Sequence, residues 1–388
     1  MKEKNAPYCL IRLIFAAALL TLSCFAAAQT YATRIKGPVG PGKVVVSAKF
    51  GGTIFGFDID QSGTEGVLTE GQTLNNGNTL NAVETFDQKT GKLVKVVRKT
   101  ETKDEDVTLG VVGSSVGLIE HDHVKTIFVI GRSYHLMNPL SGNKYTGTWT
   151  PGLDANHIIM GVSRNQETPM TAFFVDDNVV NNPHNLVFGS DVAHNKSGPK
   201  VKMTDPNFMI GVPPVIALDT KTNTAVIAQD FGSPTSVPDI GLVDLTKGTF
   251  SHFNGLGFGY VNGIAVDSAD GIACTTTEID ASVEFYDLKT QTGTIVQLPG
   301  SGGGQIFSGA DVEFDPVHKL FLIAQPVSST EQGVSSIQVY DTKGNLVESL
   351  NGFSFSNAFT VIPVHIALKP KNRSGFVDDT AGIRSFTY

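Results

Sequence analysis

The chain has 388 residues, with 29 Lys and Arg against 37 Asp and Glu, so its formal net charge is −8. An acidic chain disfavours nucleic acid and anionic membrane surfaces as partners. Of the three cysteines only Cys274 lies beyond the N-terminal segment, so we expect no internal disulfide in an exported form of the chain.

Residues 1–28 have the features of a secretory signal peptide. A basic start is followed by an apolar run from Leu13 to Phe25, and three alanines ending at Ala28 form a small-residue cleavage site before Gln29. The run is shorter than the ~20 apolar residues that a membrane span needs, and no second run follows. We therefore expect cleavage near Ala28, a secreted or periplasmic protein without a membrane span, and one domain over residues 29–388.

Beyond the signal segment, one hairpin pattern recurs along the chain. An apolar alternating run is followed by a polar turn near an Asp and then by a second apolar run, as in "VNGIAVDSADGIACTTT" at 261–277. The copies begin at residues 55, 116, 156, 214, 262, 310 and 364. No capped amphipathic helix pattern interrupts them, so the sequence predicts an all-β fold.

A second hairpin pattern alternates with the first. It has apolar residues at alternate positions, an Asp, a turn rich in Thr, Lys and Gly, and another strand, as in "VEFYDLKTQTGTIVQL" at 283–298. Two hairpins give four antiparallel strands, which is one blade of a β-propeller. Seven starts at intervals near the usual repeat length predict seven four-stranded blades. The segment 43–50 has no partner of its own, so we expect it to pair with the C-terminal strands and close the ring.

These units resemble the bacterial YVTN/NHL-type propellers and, more loosely, the propellers of the gluconolactonase (senescence-marker) family. The resemblance rests on "NGIAVD" with its following hairpin and on "VYDTKGNLVESL". The first likeness implies an exported binding or structural role. The second implies a divalent cation in the central channel, where Asn262 matches that family's Asn-Gly element and Asp311 is similar to its aspartate. The N-terminal glutamate of that family has no counterpart in residues 42–58.

The first residues of the innermost strands are the candidate site residues, because they would form a ring at the channel mouth. The candidate metal ligands are Asn262, Asp311 and Asn156, and the candidate channel-lining residues are His157 and His365. Oxygen ligands such as these suit calcium. The alternative is that these side chains satisfy strand-end backbone groups or bind channel water. Cys274 falls in an apolar strand, where a buried small residue is expected rather than a nucleophile.

Two functions follow from this pattern. The first is an exported binding or scaffold protein that presents loops or its channel to a protein, a glycan or a small ligand. The alternative is a metal-dependent hydrolase of lactones or similar esters, in which a channel cation polarises the carbonyl group. The residues leave open whether the chain is an enzyme, and we expect it to be a monomer.

Overall fold

A computed structural model describes residues 39–61, 63–102, 116–121, 124–129, 135–137, 157–163, 168, 170–177, 185–191, 196–203, 215–228, 239–257, 261–277, 282–299, 311–326, 335–355 and 364–388. Val39–Tyr388 forms one compact unit. The predicted signal peptide lies outside the described residues. In the part of the chain described, no helix is long and apolar enough to cross a membrane.

The described elements are β-strands and one short 3-10 turn at Pro370–Asn372. The strands are β1 (Gly40–Val46), β2 (Thr53–Ile59), β3 (Glu65–Thr73), β4 (Thr79–Asp87), β5 (Leu93–Thr102), β6 (Val116–His121), β7 (Val124–Val129), β8 (His135–Met137), β9 (His157–Val162), β10 (Met170–Asp177), β11 (Asn185–Asp191), β12 (Lys196–Met203), β13 (Val215–Asp219) and β14 (Thr224–Ala228). They continue with β15 (Asp239–Asp244), β16 (Thr249–Asn254), β17 (Val261–Asp267), β18 (Ile272–Thr277), β19 (Ser282–Asp287), β20 (Thr292–Gln297), β21 (Asp311–Asp315), β22 (Leu320–Gln325), β23 (Ser335–Asp341), β24 (Leu346–Phe353), β25 (Ile366–Lys369), β26 (Ser374–Asp379) and β27 (Gly382–Thr387).

Six sheets have four antiparallel strands each, in the order expected of propeller blades. Blade 1 is β2–β5, blade 2 is β9–β12, blade 3 is β13–β16, blade 4 is β17–β20, blade 5 is β21–β24, and the closing blade is β25–β27 with β1. The first strands of successive sheets contact one another, so they are the innermost strands.

The predicted number of seven four-stranded blades is wrong, because the described residues form six. The repeat that begins at residue 116 forms a sheet of only three described strands, β6–β8. Its second hairpin pattern supplies the three-residue strand β8, and Pro139 and Gly142 follow almost at once. Pro139 has no N–H for a strand ladder and Gly142 disfavours extended strands, so the pattern at 134–149 is a weak predictor of a complete second hairpin.

The N-terminal strand closes the last blade, as the sequence predicts. β1 pairs antiparallel with β27, with Gly40 opposite Thr387 and Val46 opposite Ile383. The predicted segment 43–50 begins later and ends later than β1. Val46 is fully buried in a cluster with residues of the closing blade and blade 1, so the pairing also completes a core.

The hydrophobic core lies between adjacent blades. Each large cluster of buried residues joins two neighbouring sheets, for example blades 2 and 3 or blade 5 and the closing blade. This arrangement explains why the inner strands have apolar residues on both faces.

The two ends of the blades differ in their connections. At one end, which we call the turn face, the first and second strands and the third and fourth strands are joined by short turns such as Asp267 to Ile272. At the other end, the loop face, the second and third strands and successive blades are joined. Many of these connections are longer, such as Gln297 to Asp311 and Phe353 to Ile366.

Candidate functional site

The structure places the described site candidates at the loop-face ends of the innermost strands, as the sequence predicts. Asn262 is the second residue of β17, Asp311 begins β21, His157 begins β9, and His365 directly precedes β25. Asn156 lies outside the described residues. Whether any of these residues binds a metal stays a prediction.

Asn262 occupies a β-bulge. Val261 pairs with Thr277 and Gly263 pairs with Thr276, so Asn262 is an extra residue in β17. Phe55 has the same position in β2, between the paired residues Ile54 and Gly56. A bulge redirects a side chain away from the regular alternation of the strand. Asn262 is half-buried at the loop-face end of β17.

Gly263 allows blades 4 and 5 to approach closely beside Asn262. A Cβ atom at this position would lie 2.7 Å from the backbone nitrogen of Val312 and 2.9 Å from Cα of Asp311. Both are backbone atoms of β21, which cannot move aside as a flexible side chain can. The glycine of the "NG" pair therefore serves packing.

Asp311 links blade 5 to the closing blade. Asp311 is buried, and its Oδ2 accepts a hydrogen bond of 2.9 Å from the backbone N–H of Ile366. The same oxygen lies 3.8 Å from Nδ1 of His365, which is also buried. This geometry matches the alternative in which the polar ring residues satisfy strand-end backbone groups.

Whether the inner strand ends bind calcium stays a prediction. Calcium takes six to eight oxygen ligands. Within the described ranges, no three His, Cys, Asp or Glu side chains lie close enough together to hold a metal ion. Asp311 already accepts a backbone hydrogen bond through Oδ2.

A feature missed by the sequence interpretation is a pair of buried carboxylates under the segment 47–52. Glu70 accepts backbone N–H groups from Phe50 (3.0 Å) and Gly52, while Oε2 of Glu84 accepts the N–H of Lys49 (3.1 Å). Both glutamates are fully buried. A sequence signal for Glu84 is its polar counterparts in other copies of the second hairpin, Glu284 in "VEFYD" and Gln338 in "IQVYD".

Burial raises the pKa of Glu84. A hydrogen bond from the Lys49 backbone opposes this effect, and the negative charge of Glu70 adds to it. The second oxygen of Glu84, Oε1, has no hydrogen-bond partner among the described residues. Two buried carboxylates with one unsatisfied oxygen favour protonation of Glu84.

The segment held by these carboxylates presents an aromatic ring on the loop face. Phe50 is half-buried, and the ammonium groups of Lys49 and Lys99 lie 5.7 Å and 4.8 Å from the centre of its ring. Lys99 also contacts Glu101 at 3.2 Å. The backbone hydrogen bonds to Glu70 and Glu84 hold this ring in place.

The third strands of blades 4 and 5 also have a buried polar residue at the position of Glu84, Glu284 in β19 and Gln338 in β23. Glu284 is fully buried and accepts hydrogen bonds from the hydroxyls of Thr275 (2.6 Å), Thr277 (3.0 Å) and Ser282. Its charge contributes to raising the pKa of Cys274, although burial is the larger cause. Cys274 is therefore a buried thiol, as expected. In blade 5, Gln338 contacts Gln325, which donates to the carbonyl of Pro299 at 2.9 Å.

The turn face is held by aspartates at the ends of the first and third strands. Each accepts backbone N–H groups two to four residues further along the chain, as Asp287 does from Lys289 and Thr290. These contacts lower the pKa of Asp87, Asp244 and Asp287, with Thr90, Lys247 and Thr290 as the main donors, respectively.

Comparison with known proteins identifies the fold. No protein-family model matches the sequence, and no curated protein sequence matches it. The chain is similar to the solved structure of U3-55K, with a TM-score of 0.57 and 10% identity over 90% of this chain and 100% of that chain. It is also similar to the crystal structure of the RRP9 WD40 repeats, with a TM-score of 0.57 and 9% identity over 90% and 98%. The chain is a β-propeller. At such low identity the likeness concerns the fold, and one propeller fold serves many functions.

Proposed function

We propose that this chain is an exported β-propeller that binds a partner macromolecule, in the first place a protein, through its loop face. The observation that carries the proposal is the contrast between the two faces. The turn face has short turns closed by aspartates, whereas many connections on the loop face are longer than a turn requires. Long connections on a rigid scaffold are where binding residues concentrate.

The segment 47–52 is the described part of the loop face best suited to contact a partner. Its backbone is fixed by Glu70 and Glu84, so the Phe50 ring is presented with little freedom to lose on binding. Aromatic anchors flanked by polar residues carry much of the energy of protein interfaces. Lys49 and Lys99 place two ammonium groups beside the ring, and Lys99 is paired with Glu101, so we expect Lys49 to contact an acidic group on the partner.

Export is part of the proposal. Residues 1–28 have the order of a signal peptide, and the absence of a second cysteine beyond them is compatible with folding in an oxidising compartment. N-terminal sequencing of the protein recovered from the culture medium or the periplasm tests this point. We expect a mature chain that begins at Gln29, and recovery of an uncleaved chain in the cytoplasm would contradict export.

The binding experiment compares two triple variants. In the loop-face variant, Lys49→Glu and Lys99→Glu are combined with Phe50→Ala. In the matched turn-face variant, Lys289→Glu and Lys343→Glu are combined with Val317→Ala, an exposed apolar side chain. Each tagged protein is incubated with an envelope extract of the source cells, and captured proteins are quantified by mass spectrometry.

We expect the wild type and the turn-face variant to retain the same partner and the loop-face variant to lose at least ~tenfold of it. Equal capture by all three proteins would show that the segment 47–52 is not the contact. Loss only in the turn-face variant would assign binding to the opposite face.

A calcium-dependent hydrolase is the second candidate, favoured by one observation. Asn262 occupies a bulge at the loop-face end of the inner strand β17 and is half-buried, so part of the residue is open to a ligand. Metal analysis of the purified protein, a melting curve with and without calcium, and hydrolysis of a panel of lactones test this alternative. Bound calcium, with stabilisation that Asn262→Ala abolishes, would support it. A metal-free protein that calcium does not stabilise would rule it out.

A further inference from the structure

Two buried carboxylates bind one short segment on the loop face. Glu70 accepts hydrogen bonds from the N–H groups of Phe50 and Gly52. Glu84 accepts a hydrogen bond from the N–H of Lys49. Three of the six backbone positions between β1 and β2 are therefore held by these two side chains.

The two carboxylates share one face of blade 1. Glu70 on β3 lies opposite Ala82 on β4, and Ala82 is two residues from Glu84, so all three side chains lie on the same side of the sheet. Both glutamates are fully buried, and Oε1 of Glu84 has no hydrogen-bond partner among the described residues. Two negative charges in such a buried site repel each other, and protonation of one carboxylate relieves the repulsion.

The segment 47–52 can move without unpacking the hydrophobic core. Val46, the last residue of β1, is fully buried, whereas no residue from 47 to 52 is. Lys49 and Gly51 are exposed, and Phe50 is half-buried. Segments with few buried apolar contacts open locally more easily than the core. Opening would bring water to Glu84 and restore the ordinary titration of its carboxyl group.

The charges around Glu84 come from four parts of the structure. They are Glu70 on β3, Lys49 in the segment, Lys99 and Glu101 on β5, and Lys369 and Asp378 in the closing blade, which packs against blade 1. Burial is the largest cause that raises the pKa of Glu84, and the charge of Glu70 adds to it. The backbone hydrogen bond and the charge of Lys49 oppose this effect without cancelling it.

We propose that Glu70 and Glu84 make the segment 47–52 a pH-dependent latch, which is closed in acid and opens as the pH rises. The closed segment favours neutral Glu84, because two buried anions repel each other. The open segment favours the Glu84 carboxylate, because water solvates it. The closed state therefore loses its advantage as the pH rises from 4.5, the ordinary pKa of this group, through the raised pKa.

The latch determines how Phe50 is presented to a partner. In the closed state the ring has little freedom to lose on binding, whereas an open segment must first be ordered. Partner binding by the loop face is therefore stronger in acid, a consequence that rests on the proposed function.

Amide hydrogen exchange tests the latch without any partner. It is measured on the purified protein from pH 4.5 to mildly alkaline pH and corrected for the intrinsic exchange rate at each pH. The reporters are the N–H groups of Lys49, Phe50 and Gly52. The internal control is the N–H of Thr290, whose acceptor Asp287 has a lowered pKa and so stays ionised over this range. Glu84→Gln is the decisive variant, because glutamine keeps an acceptor oxygen and cannot ionise.

We expect protection of the three reporters in the wild type to fall at least ~threefold as the pH rises. Protection is expected to stay constant at Thr290, and at all three reporters in Glu84→Gln. Wild-type protection that does not change with pH overturns the proposal, as does an equal fall in Glu84→Gln.

The consequence for binding is measured separately. Capture of the partner from the envelope extract is compared for the wild type and Glu84→Gln at both ends of the pH range, so that titration of the partner itself affects both proteins equally. We expect the wild type to lose capture at the higher pH and Glu84→Gln to retain it. Equal capture by both proteins at both pH values would show that the latch does not regulate binding. Exchange that depends on pH without capture at any pH would contradict the proposed function and support the latch.

Discussion

Several buried carboxylates in this propeller accept hydrogen bonds from backbone N–H groups. The sequence predicts that Asp311 is a metal ligand, and in the structure it accepts the N–H of Ile366 from the next blade. The repeat pattern does not single out Glu70 and Glu84, which hold the segment that carries Phe50. Buried carboxylates need such partners because desolvation of a charge is costly.

Glu84→Gln is expected to stabilise the protein at neutral pH by ~1 kcal/mol. The pKa of Glu84 is raised in the folded state, so the folded protein binds a proton that the unfolded chain releases above its ordinary value of 4.5. Stability from this group is therefore complete below pH 4.5 and is lost as pH rises through the raised pKa. Glutamine keeps the acceptor for the Lys49 N–H and cannot ionise.

Thermal unfolding at a series of pH values measures this effect. The gain from Glu84→Gln is expected to shrink as the pH falls towards 4.5, where wild-type Glu84 is also neutral. Glu348→Gln, on the outer strand β24, is the control and is expected to leave the curve unchanged. A Glu84→Gln protein that is less stable than wild type at neutral pH would contradict the assignment.

At the scale of the element, the turns between strands lock the blades to one another. Nζ of Lys319 lies 2.7 Å and 2.9 Å from the two oxygens of Asp267 in the neighbouring blade. Further contacts join successive blades: Lys221 donates to the carbonyl of Ala269, and the Tyr388 hydroxyl donates to Asp315. The turn face is therefore a continuous set of contacts across blades 3, 4 and 5 and the closing blade.

Lys319→Met is expected to destabilise the protein by ~2–4 kcal/mol, because it removes the cation from a carboxylate that is almost fully buried. Burial would lower the pKa of Lys319, but the hydrogen bond and charge of Asp267 outweigh it and raise that pKa. The stabilisation is thus present at neutral pH and is lost as pH rises through the raised pKa. Methionine keeps the length of the side chain and so limits the packing change.

Chemical denaturation measures the free energy of unfolding of Lys319→Met and of the control Lys343→Met. The comparison distinguishes loss of the ion pair with Asp267 from the general effect of replacing a lysine in a turn. Lys343 lies exposed in the turn after β23, so its replacement is expected to change the free energy of unfolding by less than ~0.5 kcal/mol. Equal losses in the two variants would show that the contact with Asp267 contributes nothing.

For the molecule as a whole, the closing strand converts a row of sheets into a ring. β1 covers the edge of β27 and adds Val46 to the core between the closing blade and blade 1. Its loss leaves β27 as an open edge with apolar surface beside it, which favours aggregation.

A chain that begins at residue 47 is expected to lose ~3 kcal/mol or more and to aggregate, because it lacks the buried Val46 and the β1 ladder. A chain that begins at residue 29 retains β1 and is expected to melt like the full chain. Differential scanning calorimetry with light scattering compares the two. If the chain from residue 47 melts at the same temperature without aggregation, β1 is not required for closure.

Much of the fold could be predicted because hairpins are local. An alternating apolar run, an Asp-containing turn and a second run specify two strands and their antiparallel pairing within ~15 residues. The unpaired run near residue 43 indicated the closing strand for the same reason. The number of blades could not be counted this way, because the repeat at 116 has the first hairpin pattern but forms only three described strands.

The amino-acid sequence by itself determined the strands, the blade pattern, the closing pair and the positions of Asn262, Asp311 and His365 at the inner strand ends. Only the tertiary structure decided what those residues contact and which carboxylates support the segment 47–52. The physical reason is distance along the chain. Asp311 meets Ile366, and Glu84 meets Lys49, across blade boundaries where no local pattern records the partner.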